Sequence, residues 1–221
     1  MRMKRFKILS TLLLVSFLIA VFQSTVMSFV EGFNLGYGIA SFELENHVQS
    51  ETFTYLDLKP KTDDITPNTH NIKDSTALFL IPTKASVVAF YPETHQKSVA
   101  EIAISVVNGL LNLGILVCFV YVLVIFIKIV LSFRRSEVFE DINIKRINII
   151  GIGFLVLGAL SSAWQGLSIF MARQAIELTD YTISYANIID WDDIVMGLII
   201  LLMNEVLRLA TGYKKEQDLT I

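Results

Sequence analysis

Cysteine is nearly absent from this chain, which limits how the fold can be held. The single cysteine, Cys118, has no disulfide partner, and its place in an apolar run suits a small packing residue. Charge is scarce as well, at 18% of the 221 residues, against about a quarter in an average soluble domain. The three histidines, His47, His70 and His95, are more than twenty residues apart. No pair has metal-ligand spacing, so solvated loop residues are the favoured account over a metal site or pH sensor. No glycine-rich phosphate loop or His-Glu-x-x-His run occurs, and no serine has a histidine placed to act as its base. These absences give no support to an enzyme, and no cofactor or metal is expected.

What is abundant is apolar surface. Hydrophobic residues make up 53% of the chain and the mean hydropathy is +0.58. Four segments can be spans: Ile8 to Val30, Ile102 to Ile127, Ile147 to Met171 and Ile194 to Ala210. Crossing about 30 Å of hydrocarbon takes about 20 residues of helix. The fourth segment reaches only if Asp192 and Thr211 lie near its two interfaces. The first follows a basic start, as a secretory signal does. It lacks a small-x-small cleavage site, since Phe22 stands two after Ala20, and an uncleaved anchor is expected.

Basic residues assign the sides. Arg2, Lys4, Arg5 and Lys7 precede the first span; Lys128, Arg134, Arg135, Lys145 and Arg146 lie between the second and third; Arg208, Lys214 and Lys215 close the fourth. That side carries twelve cations against six acids, and the other six cations against fifteen acids. The positive-inside bias makes the first side cytoplasmic. The expected location is the bacterial cytoplasmic membrane, multi-pass, with both termini inside and the lipid bilayer as surroundings.

Residues 31–98 differ in composition. Runs such as "ETFTYLDL", "TALFLIP" and "ASVVAFYP" are bounded by Pro60, Pro67, Pro82 and Pro92 and read as strands and turns. The fold class expected is an all-α membrane protein, a four-transmembrane-helix bundle, with a small β-containing extracytoplasmic insertion between helices 1 and 2. Residues 1–30 form the anchor, 99–212 the other three helices and 213–221 a cytoplasmic tail.

Polar residues in a span are costly and need a reason. Ser105, Asn108 and Asn112 share one face of the second span, and Gln23, Asn108 and Gln165 fall at similar depth in the outer half. They form a candidate outer polar pocket, or else interhelical hydrogen bonds worth about 0.6–2 kcal/mol each. Gly151, Gly158, Ser162 and Gly166 make a small-residue stripe, which marks the third helix as central. The acidic turn "ELTDYTISYANIIDWDD" lacks calcium-loop spacing. Asp190, Asp192 and Asp193 there suit the cap of the fourth helix. Trp164, Trp191, Tyr181 and Tyr185 suit an interfacial belt.

Two stretches, "SEVFEDINIKRINIIGIGFLVLG" and "NEVLRLATGYKKEQDLTI", resemble the signature regions of the DUF2975 family of bacterial membrane proteins. Phe139, Asn143, Arg146, Glu205, Arg208, Glu216, Gln217, Asp218, Leu219, Thr220 and Ile221 fit its pattern. Asn204 stands where a small residue is usual, and Leu207 where an aromatic is usual. The resemblance covers the C-terminal half. Members are often encoded beside a helix-turn-helix regulator of the Cro/CI type, which implies a cytoplasmic transcription regulator as partner and no direct contact with nucleic acid.

The expectation is a sensor that relays an extracytoplasmic signal. Phe139, Asn143, Arg146, Glu205, Arg208, Glu216, Gln217, Asp218 and Leu219 are its candidate partner-binding residues, while Gln23, Asn108, Asn112 and Gln165 line the outer pocket. A tail with Leu219 and Ile221 between charges suits docking; a plain chain end is the alternative. The competing function is a small-molecule or peptide transporter or an immunity-type membrane protein. Against transport, the sequence has no internal repeat, and only Gly109 and Gly114 hint at a soft helix.

Overall fold

The computed structural model describes residues 2–61, 69–70, 77–78, 84–92, 96, 98–135, 140–178 and 181–219. In chain order the elements are α1 (Arg2–Asn46), β1 (Val48–Pro60), β2 (Thr69–His70), β3 (Ala77–Leu78), β4 (Lys84–Pro92), α2 (Val99–Arg134), α3 (Asp141–Ala175), β5 (Tyr181–Ser184) and α4 (Trp191–Leu219). Val99–Phe133, Asp141–Ala175 and Trp191–Tyr213 are long and apolar enough to cross a membrane. Contacts divide the chain into two units. One holds residues 1–38, 111–161 and 189–221, and the other residues 39–110 and 162–188.

Helix ends follow from local chemistry. Ser98 and Glu101 form a reciprocal capping box at the start of α2: Ser98 N donates to Glu101 Oε2 at 2.7 Å and Glu101 N to Ser98 Oγ at 3.2 Å. Asp190 Oδ1 accepts from Asp193 N at 3.3 Å and caps α4, the role expected of that acid. α1 ends where His47 adopts φ 51°, a left-handed residue that turns the chain directly into β1. The helix therefore runs past residue 30 into the segment expected to be insertion. α4 continues to Leu219, past the expected boundary at 212, because Lys214, Lys215, Glu216 and Gln217 are all good helix formers. Thr211 is buried there, its hydroxyl donating to Leu207 O at 2.7 Å and Arg208 O at 3.0 Å.

In the sheet-bearing unit β1 is the middle strand of an antiparallel order β4-β1-β5. The runs expected as strands around residues 51–58 and 85–92 are β1 and β4. Of "TALFLIP", Ala77 and Leu78 form β3, paired with β2, and Phe79 to Pro82 lie outside the described residues. β5 occupies the acidic connection between α3 and α4. β1 carries an irregularity: Phe53 faces Val87 while Leu56, three residues on, faces Ala85, only two residues back along the antiparallel β4. That extra residue puts Phe53, Leu56 and Leu58 into one core, which strict two-residue alternation would prevent. They pack with Ile183 of β5 and with Ile169 and Ala172 of α3.

In the helical unit α3 packs closely on two neighbours. A Cβ added to Gly151 would lie 2.7 Å from Leu201 Cγ, and one added to Gly197 2.9 Å from Gly151 O. Gly158 approaches Ile194 in the same way, and Gly153 meets Val122 of α2. α3 is thus central among these helices, as its small residues imply. Its apolar cluster is Val122, Ile125, Ile129, Ile150 and Leu157.

Candidate functional site

Two places combine polar chemistry with defined geometry. The first is where the α2–α3 turn begins and ends. Asn143 in the first turn of α3 is fully buried; its Nδ2 donates to Ser132 Oγ at 2.9 Å, and Arg146 donates from a guanidinium nitrogen to Asn143 Oδ1 at 3.0 Å. The amide thereby ties the end of α2 to the start of α3 and orients a cation. Beside it is a cavity of about 280 Å³ lined by Lys128, Leu131, Ser132, Arg135, Glu140, Ile142 and Arg146. Asn143 and Arg146 are therefore coupled, whereas Phe139 lies outside the described residues.

α4 supplies the other candidate partner-binding residues. Arg208 pairs with Glu205 at 3.6 Å across one helical turn, both side chains more than half exposed. Asn204 is buried and its Nδ2 donates to Asn148 Oδ1 of α3 at 3.5 Å, while its own Oδ1 has no partner among the described residues. Glu216, Gln217, Asp218 and Leu219 are in α4 by backbone, while Thr220 and Ile221 lie outside the described residues. The Asn204–Asn148 pair is not evident from spacing along the chain, since each residue alone reads as an isolated polar position on its helix.

The second place is a clasp in the sheet-bearing unit. β5 pairs with β1 from Asp57↔Ser184 to Pro60↔Tyr181. Two side-chain bonds reinforce it: Lys61 Nζ donates to Leu178 O at 2.6 Å, and Thr182 Oγ1 to Lys59 O at 3.3 Å. Arg173 lies 4.8 Å from the Tyr185 ring centroid in a cation–π contact. Asp57 is buried at the junction, and its Oδ2 has no partner among the described residues. In the same unit Glu51, Phe53, Tyr91, Glu101, Ile104, Met171, Gln174 and Ala175 line a cavity of about 230 Å³.

The four amides fall differently. Asn108 and Gln165 are half-buried in the sheet-bearing unit, and Asn108 Oδ1 accepts from Ser168 Oγ at 3.5 Å, an α2–α3 bond. Gln23 and Asn112 are exposed residues of the helical unit. His47 forms the α1–β1 turn, His70 is in β2 and His95 lies outside the described residues; no group able to hold a metal occurs among the described residues.

Among the described residues, three helices long and apolar enough to cross a membrane, together with a small antiparallel sheet, define the class. Residues 84–221 match the DUF2975 family, proteins of unknown function, and the chain belongs to that family. No curated protein and no solved structure matches the chain. Both ends of the clasp's β5, the Ser132–Asn143–Arg146 chain and the Glu205–Arg208 pair lie in the matched part, whereas β1 lies before it.

Proposed function

We propose that this protein is a four-span regulator of the bacterial cytoplasmic membrane, with both termini inside, that relays an external signal to a cytoplasmic partner. α1 supplies the fourth span. The partner class is a helix-turn-helix regulator, the one to which the family resemblance points. The observation that carries this reading is the clasp. β5 is the connection between α3 and α4, so a change in how β1 holds β5 acts on the two helices bearing Asn143, Arg146, Glu205 and Arg208. A relay needs such an element, one whose two arrangements are biased by both a ligand and a partner. The 230 Å³ cavity on β1 and β4 is a place for the external ligand.

A second reading, transport or immunity, is favoured by an apolar cavity of about 1020 Å³ in the helical unit, lined in part by Phe119, Phe126, Phe154, Asp192 and Asp193. The two readings separate on the α4 end. Deleting Glu216 to Ile221 should abolish co-purification of the regulator while the protein still inserts in the membrane. Glu205→Gln should weaken that output more than Arg208→Lys, because only the former removes the charge that holds the pair. Normal regulator output from the deletion, at equal membrane abundance, would discard the relay. Cysteine labelling in intact cells supplies the topology: position 86 labels from outside and position 135 does not.

A further inference from the structure

We propose that the basic cavity beside the α2–α3 turn binds the phosphate group of an anionic lipid headgroup. This rests on the membrane residence proposed above and not on the relay. Lys128, Arg135 and Arg146 line the cavity with one acid, Glu140. Among the described residues neither Lys128 nor Arg135 makes an ion pair, so their charge is available. Arg146 differs, since the bond to buried Asn143 fixes its position before any ligand arrives. Ser132 adds a hydroxyl. Lys128 lies on α2 and Arg135 just past its end at Arg134, where Arg135 N donates to Ser132 O at 3.0 Å, and both line the same cavity.

The apolar lining selects a lipid over a free anion. Leu131 and Ile142, 42% and 50% exposed, stand among these cations. A free phosphate has no use for them, whereas the glycerol and first methylenes of a phospholipid cover them. The volume of about 280 Å³ is close to the lower end of small-ligand sites and suits a headgroup. Both helices that frame the site are long and apolar enough to cross a membrane, which brings phosphates of one leaflet to this height.

The test offers the purified full-length protein equal amounts of phosphatidylglycerol and phosphatidylcholine and counts retained lipids by native mass spectrometry. Phosphatidylglycerol should be held at least about tenfold better. At roughly one fivefold step per surface cation, Lys128→Gln or Arg135→Gln should each lower retention about fivefold and the pair together about twenty-five-fold. Lys128→Arg with Arg135→Lys should keep it, which separates charge from folding. Millimolar inorganic phosphate should fail to displace the lipid; displacement would assign the same site to free phosphate. Equal retention of the two lipids, or unchanged retention in the double glutamine variant, would overturn the proposal. Capture of an acidic peptide without any lipid preference would overturn it too, in favour of a protein partner.

Discussion

The two units bury apolar residues by different rules. In the sheet-bearing unit Phe53, Leu56, Leu58, Ile169, Ala172 and Ile183 form a core in which Leu56 and Ala172 are wholly enclosed. The three long apolar helices found among the described residues are otherwise: only 17–28% of their most hydropathic windows is buried within the protein, and in the helical unit Leu202 and Val117 stand more than 60% exposed. A sheet in water, where the proposed topology puts this one, must cover its apolar face. Helices in lipid, as proposed above for these, have no such need, because acyl chains are as apolar as leucine, and they select instead for close backbone approach.

Substituting the same residue type in both settings gives the largest contrast. Leu56→Ala removes a wholly buried side chain and should cost about 2–5 kcal/mol. Leu202→Ala, 68% exposed, should cost less than about 0.5 kcal/mol in detergent or bilayer. Thermal unfolding of the full-length protein, followed by protease cleavage between β1 and β4, reads the first effect. Equal and small losses would mean that the sheet has no core of its own.

The helices should yield to the opposite change. Gly197→Ala puts a methyl 2.9 Å from the backbone oxygen of Gly151, an atom that cannot rotate away, and should cost about 1–3 kcal/mol. Gly109→Ala meets nothing within 4 Å and should be neutral or slightly stabilising, since alanine is the better helix former. Detergent melting points of the two variants in parallel check this; a harmless Gly197→Ala would show that α3 and α4 do not touch there.

This contrast also explains which parts were legible in the sequence. Long apolar runs announce helices for membrane crossing whatever their neighbours, and alternating Thr, Val, Phe and Tyr announce strands, so α2, α3, α4, β1 and β4 follow from composition. β5 does not: four residues, "YTIS", inside an acidic connection read as part of a turn, and only a partner strand far back in the chain makes them a strand. The β1 irregularity is equally hidden, because Phe53 and Leu56 by spacing alone fall on opposite faces. At the α2–α3 turn the excess of cations is visible. The bond that fixes Arg146 needs Ser132 and Asn143 brought together from different helices. Asn204 and Asn148 need the fold for the same reason.

The smallest effect expected concerns the junction of α1 with the sheet. Glu43, partly buried, accepts from Ser50 N at 2.5 Å, and the Ser50 hydroxyl and backbone N–H hold its carboxyl below the ordinary 4.5. A carboxyl depressed by folding contributes stability that is complete above about pH 4.5 and is lost as the pH falls through the lower folded value. Water still reaches this carboxyl and screens it, so the contribution to unfolding should be slight while the titration itself stays measurable. Ser50→Ala removes the hydroxyl, the larger cause, and leaves the backbone donor. Glu43 should then titrate closer to 4.5 without reaching it, as followed by NMR of its side-chain carboxyl, and acid unfolding should shift barely at all. A titration unmoved by the substitution would place the hydroxyl away from Glu43 and leave only the backbone bond between Ser50 and this carboxyl.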